Sequence, residues 1–106
     1  MNSQENAAEP DLVVRDAPEH GRYEAWLGAD LAGFVDYAVD GTVVSLLHAE
    51  VVERFGGRGV GGRMVRQTLD DVRGRGLRVR PVCGFVASWI ARHPDYAGVV
   101  AAPEQE

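Results

Sequence analysis

The chain contains no lysine; all eleven of its basic residues are arginine. A Walker phosphate loop, which needs a lysine before its Ser/Thr, is therefore excluded. The single cysteine, Cys83, excludes an internal disulfide and a cysteine zinc cluster. Long apolar runs are missing too: Val43-Val44 and Leu46-Leu47 are typical, far short of the roughly 20 residues a membrane span needs. The opening residues, Met1-Asn2-Ser3-Gln4-Glu5-Asn6, have neither a basic start nor an apolar stretch, which argues against a secretory signal. With 106 residues there is room for one core and not two. A composition of 45% apolar and 25% charged residues excludes collagen-like, coiled-coil and fully disordered chains. The expectation is a soluble, cytoplasmic single domain without a membrane partner.

What is present is unevenly charged. Residues 1–53 hold eleven acids against Arg15 and Arg22, a net −9. Residues 54–80 hold eight arginines against Asp70 and Asp71, a net +6, and the remainder carries −2. The acidic remainder would repel a long nucleic-acid backbone, and no aromatic-and-basic surface pattern accompanies the arginines. A compact polyanion such as a nucleotide cofactor suits this layout better. Each arginine taken alone is also compatible with a solvated helix face.

Residues 1–10 and 101–106 lack periodicity and read as flexible tails around a domain at 11–100. Strand signals cover Leu12–Arg15, Arg22–Leu27 and Leu31–Val39, the last with Leu31, Gly33, Val35, Tyr37 and Val39 on one face. Asp40-Gly41 between two apolar runs signals a tight hairpin leading into a strand over Thr42–Val52. The period then changes. Met64, Val65, Thr68, Leu69 and Val72 mark one helical face from Val60 to about Arg73, ended by Gly74-Arg75-Gly76. A strand over Leu77–Val82 and a helix over Gly84–Arg92, closed by His93-Pro94, complete the pattern. Trp26, Trp89, Tyr23 and Phe34 fall to core or sheet surface. The expected class is α+β: an antiparallel meander, then strand–helix–strand–helix, with a central mixed sheet flanked by helices.

The segment Phe55-Gly56-Gly57-Arg58-Gly59-Val60-Gly61-Gly62-Arg63 follows a strand and opens a helix. Glycines there let the backbone approach a ligand, helix-start amides lack intrahelical acceptors, and the helix dipole favours an anion. Arg54, Arg58 and Arg63 add positive charge. A phosphate site is the inference, with a flexible turn as the plain alternative. The spacing Gly57-x-Gly59-x-x-Gly62 also fits a dinucleotide fingerprint, which wants an acid about 20 positions on. That place falls around Val82 without a carboxylate, and only 44 residues follow Gly62. The fingerprint match is read as accidental.

The meander, the long strand entering a glycine-rich loop and the helix leading to a parallel strand together resemble the GNAT superfamily of N-acetyltransferases. The signature Arg/Gln-x-x-Gly-x-Gly/Ala is carried by Gly56-Gly57-Arg58-Gly59-Val60-Gly61, departing at Gly56. His48-Ala49-Glu50-Val51, Pro81-Val82-Cys83-Gly84-Phe85-Val86 and His93-Pro94-Asp95-Tyr96 resemble the motifs of its short, single-domain YjdJ-type branch, with Ala49 the departure. The resemblance spans residues 12–98. It implies acetyl-CoA as cofactor and an unidentified amine of a small molecule or protein as acceptor. Backbone around Val51 and Val52 would meet the pantetheine arm, Gly56 to Gly62 would hold the pyrophosphate, and the nearby arginines would reach the 3′-phosphate.

Acetyl transfer needs a base for the ammonium, donors for the oxyanion and a proton for the thiolate. His48 and Glu50, two apart on one strand, share a face about 7 Å apart. By family practice the base is a carboxylate of this strand, which favours Glu50; a solvated Glu50 and a structural His48 are the bland readings. Cys83, at a helix start, is either a covalent acetyl carrier or a buried, inert thiol. Tyr96 is a candidate proton donor and His93 a candidate cofactor contact, or both pack around Pro94. A CoA-binding module with little turnover is the alternative function, and an interaction domain with an empty loop is a third.

Overall fold

A computed structural model describes residues 11–102. Strands β1 (Leu12–Ala17), β2 (Arg22–Leu27), β3 (Asp30–Asp40) and β4 (Val43–Val51) pair antiparallel in sequence order. Helix α1 (Val60–Gly74) then crosses over, and β5 (Arg78–Pro81) pairs parallel with β4. Helix α2 (Gly84–Arg92) comes next, and 3₁₀ turns occupy Pro18–His20, Glu53–Phe55 and Pro94–Val99. The result is the α+β, mixed-sheet class that the periodicities predict. Of the two expected tails, residues 1–10 and 103–106 lie outside the described residues. Ala101 donates its N–H to the Val79 carbonyl at 2.8 Å, beside a parallel bridge between Val79 and Val100. No described helix is long and apolar enough to cross a membrane.

Both helices sit on one side of the sheet. Buried Val35, Val44, Leu46 and Val79 face Met64, Val65, Leu69 and Val72 of α1, the helical stripe read from the sequence. Val86, Trp89 and Ile90 of α2 complete that core. The sheet edge at β1 is closed by a side chain: Gln67 of α1 accepts from the Val14 N–H at 3.2 Å and donates to the Leu12 carbonyl at 3.0 Å. Its carboxamide thus replaces one rung of a neighbouring strand, which blunts an otherwise open edge.

Three local departures from simple alternation decide which side chains face the core. The β3–β4 loop is Gly41-Thr42, one residue later than Asp40-Gly41, because Asp40 pairs with Val43 and only Gly41 takes a positive φ of 64°. In β3 the register slips at Ala32, so that Leu31 pairs with Trp26 and lies on the face opposite Val35; the single face expected for Leu31 through Val39 is thereby divided. In β4 the register slips again: Asp36 pairs with His48 but Tyr37 with Leu46, leaving Leu47 as the extra residue of a bulge. Each inserted residue reverses side-chain parity beyond it. Val44 and Leu46 therefore point into the core, while His48 and Glu50 point out of it.

Candidate active site

Pairing between β4 and β5 stops at Leu46 and Pro81, with one further bond from the Cys83 N–H to the Leu46 carbonyl at 2.9 Å. Beyond that point β4 runs on to Val51 with no described strand on its β5 side. A cleft of about 170 Å³ opens there, lined by Ala49, Glu50 and Val51 of β4, Met64 of α1 and Phe85 of α2. Its walls are apolar except for Glu50. A strand edge without a partner leaves backbone donors and acceptors for a ligand, as β-augmentation does for peptides.

The glycine-rich loop adjoins this cleft. A Cβ on Gly61 would lie 2.9 Å from Cζ of Phe85 and 3.5 Å from Cγ2 of Val51, so the first turn of α1 lies against two residues of the cleft wall. Gly57 and Gly59 have φ of 77° and 75°, a left-handed backbone that side chains other than glycine rarely adopt. The first ladder bond of α1 runs from the Arg63 N–H to the Gly59 carbonyl at 3.3 Å. The amides of Val60, Gly61 and Gly62 precede it and have no intrahelical acceptor. With the helix dipole, they form a setting that favours an anion.

The three arginines of this region differ. Arg54 lies 3.5 Å from Asp30 and 4.4 Å over the Phe55 ring, and Arg58 lies 5.4 Å from the same ring. Phe55 is buried and serves both guanidinium groups as a platform. Arg63 is exposed on the solvent side of α1.

His48 and Glu50 come together. The imidazole Nε2 lies 3.1 Å from Oε1 of Glu50, and the His48 ring lies 6.2 Å from that of Phe34. An ionised Glu50 can only accept, which places the proton on Nε2. The other candidates stand away from the cleft lining. Tyr96 is buried; its hydroxyl donates to Asp70 at 2.8 Å and accepts from Arg66 at 3.2 Å, so both of its directions are in use between α1 and the Pro94–Val99 turn. His93 stacks on Trp89 at 3.7 Å with Nδ1 2.7 Å from the Trp89 carbonyl, which ties it to the end of α2. Cys83 is the N-cap residue of α2, half-buried against the core.

The sequence pattern does not mark Met64, Phe85 or Gly33 as site residues. A Cβ on Gly33 would lie 2.7 Å from the Glu50 carbonyl oxygen and 3.0 Å from Sδ of Met64, so this glycine lets β3 pass under the cleft floor. Glycine inside a strand is the one signal that points there.

The GCN5-related N-acetyltransferase family model matches residues 22–99. Among solved structures, the NMR solution structure of a GCN5-like candidate N-acetyltransferase from Staphylococcus aureus superposes with a TM-score of 0.65. That match is 20% identical in sequence and covers 90% of this chain and 93% of the other; it supports the fold. No curated protein matches the chain. With the family model spanning the sheet from β2 onward, the glycine loop that joins β4 to α1, and both helices, the chain belongs to the GCN5-related N-acetyltransferase family.

Proposed function

We propose that the protein transfers an acetyl group from acetyl-CoA to a primary amine, as a short YjdJ-type member of its family. The observation that carries this reading is the junction of two features: an apolar slot where β4 parts from β5, and uncapped amides of α1 beside it. The residues fit such a ligand. Ala49, Val51, Met64 and Phe85 offer apolar walls to a pantetheine arm, and the absent side chain at Gly61 lets the Phe85 ring lie against the first turn of α1, which brings that apolar wall up to the helix-start amides. Val60, Gly61 and Gly62 supply amides, and Arg54, Arg58 and Arg63 supply charge at the loop.

The bound cofactor supplies an activated acyl thioester. Glu50, at the cleft and hydrogen-bonded to His48, takes one proton from the acceptor ammonium. The freed lone pair forms the N–C bond as the C–S bond breaks, and the second amine proton ends on the departing sulfur. Donors on the free edge of β4 steady the carbonyl oxygen. Cys83 is half-buried against the core and is not among the residues lining the cleft, which favours direct transfer over a covalent step on the thiol.

The test has two stages. Calorimetry is expected to show one acetyl-CoA bound per chain. Glu50→Gln is expected to keep that binding while slowing thiol release to an amine panel by about 100-fold or more. Binding without release from any amine would leave a CoA-binding module, and no binding would refute the reading.

A further inference from the structure

Trp89 of α2 is 3% exposed, and its ring packs in the core as the helical period predicts. The ring is held on several sides. His93 stacks on it at 3.7 Å with the planes 11° apart, Tyr96 meets it edge-on at 5.1 Å, and the Arg66 guanidinium lies 5.2 Å from its centre. The stacking imidazole is itself tied to the Trp89 carbonyl at 2.7 Å, so the indole cannot turn without displacing His93. What is left over is the indole N–H. A buried indole ordinarily finds an acceptor for that proton. The chain's other tryptophan does so: Trp26 Nε1 donates to Glu24 at 3.3 Å on the outer face of the sheet, the face away from the two helices. Among the described residues Trp89 Nε1 has no acceptor, although its carbonyl and its ring have partners. Nor is it sealed in: among the described residues the one sealed side-chain polar atom without a partner is Thr68 Oγ1. The indole N–H therefore reaches solvent.

It does so at the start of α1. A Cβ on Gly62 would lie 3.4 Å from Nε1 and 3.8 Å from Cδ1 of Trp89, so the edge of the indole that carries the N–H faces the first turn of the helix. A helical Cβ tilts toward the helix N-terminus, which puts Nε1 on the side of the uncapped amides of Val60, Gly61 and Gly62. Covalent geometry keeps it within about 6 Å of the Gly62 nitrogen. Two oxygens of one phosphate bridge such a gap with bonds of about 2.9 Å each. Phe85 and Trp89, one helical turn apart on α2, thus receive Gly61 and Gly62: the first ring walls the cleft and the second offers a donor beside the amides. An indole N–H takes only an acceptor, and the helix dipole at the same place favours a negative one.

We propose that the Trp89 indole N–H is a ligand donor at the start of α1, bonding a phosphate oxygen of the acyl-CoA diphosphate together with the helix amides. This assignment rests on the acetyl-CoA reading and adds to it a residue from α2. One helix then both walls the cleft, through Phe85, and grips the diphosphate, through Trp89.

The experiment uses the two indole N–H signals that Trp26 and Trp89 give in a nitrogen–proton correlation spectrum. Trp89→Phe, or Trp26→Phe by elimination, assigns them. Acetyl-CoA is expected to move the Trp89 signal downfield while that of Trp26 stays in place. S-acetylpantetheine, which carries the thioester arm without the diphosphate, is expected to leave both signals unmoved. In calorimetry Trp89→Phe, which keeps an aromatic ring against His93, is expected to weaken acetyl-CoA by about ten-fold or more and S-acetylpantetheine by less than about two-fold. Glycine amides that shift with acetyl-CoA while the Trp89 indole stays put overturn the donor role and leave the cofactor reading standing. Equal losses of affinity for acetyl-CoA and S-acetylpantetheine in Trp89→Phe also overturn it, since they make Trp89 a packing residue alone. Saturating acetyl-CoA that moves neither the amides nor the indole overturns both.

Discussion

The two ends of α1 are built on opposite plans. At its C-terminal end, Tyr23 donates to Asp71 at 2.6 Å, Tyr37 donates to Asp16 at 2.6 Å, and Arg75 joins both acids at 2.9 and 3.4 Å. Five side chains from three strands and the helix end make one closed network. At the N-terminal end the helix begins at Val60 after Gly59, with no side-chain cap and no acid in the first turn. A capping Ser or Asp would stabilise that end by about 1 kcal/mol, and would fill the amides that an anion needs. The helix is thus tied down by side chains at one end and left without a side-chain cap where the cleft opens.

The strongest way to break this contrast is to crowd the bare end. Gly61→Val places methyl groups against Phe85 and narrows the cleft. Acetyl-CoA affinity is expected to fall by about 100-fold or more, with a melting temperature only a few degrees lower. The reverse outcome, intact affinity and a large loss of stability, would make Gly61 a packing residue alone.

At the anchored end the effects exchange places. Tyr23→Phe removes a short bond to a carboxylate and is expected to cost about 2 kcal/mol in denaturant unfolding, with acetyl-CoA affinity unchanged. Alkaline pH probes the same network. Burial, the bond to Asp16 and its charge push the Tyr37 hydroxyl up to about 12, and burial with the bond to Asp71 raises Tyr23 further. Below pH 10 both states keep these protons and stability is whole. Above it the unfolded chain releases them first, so stability falls as pH rises toward 12. Replacing both tyrosines by phenylalanine should flatten that decline in unfolding curves taken across the range.

The smallest effect belongs to the outer face. Burial tends to raise Glu24, but the bond and charge of Arg22 and the Trp26 N–H outweigh it and hold the carboxyl below its ordinary value of 4.5. The associated stability is present above that value and lost as pH falls below it. Arg22→Gln should reduce this acid sensitivity by less than about 1 kcal/mol, measurable as a smaller shift in urea midpoint between pH 6 and pH 3.

Much of the fold was legible because local chemistry and tertiary demand agree. The 3.6 period of Met64, Val65, Leu69 and Val72 marks a helix whose stripe is buried, and β2 and α2 fall on the residues their patterns indicate. The loop's place was legible for another reason: its glycines interrupt both periodicities between a strand and a helix, and Gly57 and Gly59 take the positive φ that glycine allows. The bulge at Leu47 was not. Nothing in Leu46-Leu47-His48-Ala49-Glu50 states which residue lacks a partner, yet that choice decides whether His48 and Glu50 face the core or solvent. Met64 and Phe85 were hidden because a cleft wall and a core share the same apolar periodicity. Tyr96 and His93 stand in the His93-Pro94-Asp95-Tyr96 segment that resembles a family motif, but their bonds run to Asp70, Arg66 and Trp89.

The central claim is that the bare amides at the start of α1 receive the diphosphate of an acyl-CoA. In a chain of 11.5 kDa these amides can be followed individually by two-dimensional NMR during a titration with acetyl-CoA. The account predicts that the largest shifts fall on Gly57, Gly59, Val60, Gly61 and Gly62, with smaller ones on Ala49 to Val51 and none at Tyr23 or Arg75. Saturating acetyl-CoA that leaves the glycine amides unmoved, or moves the Tyr23 end instead, would contradict it.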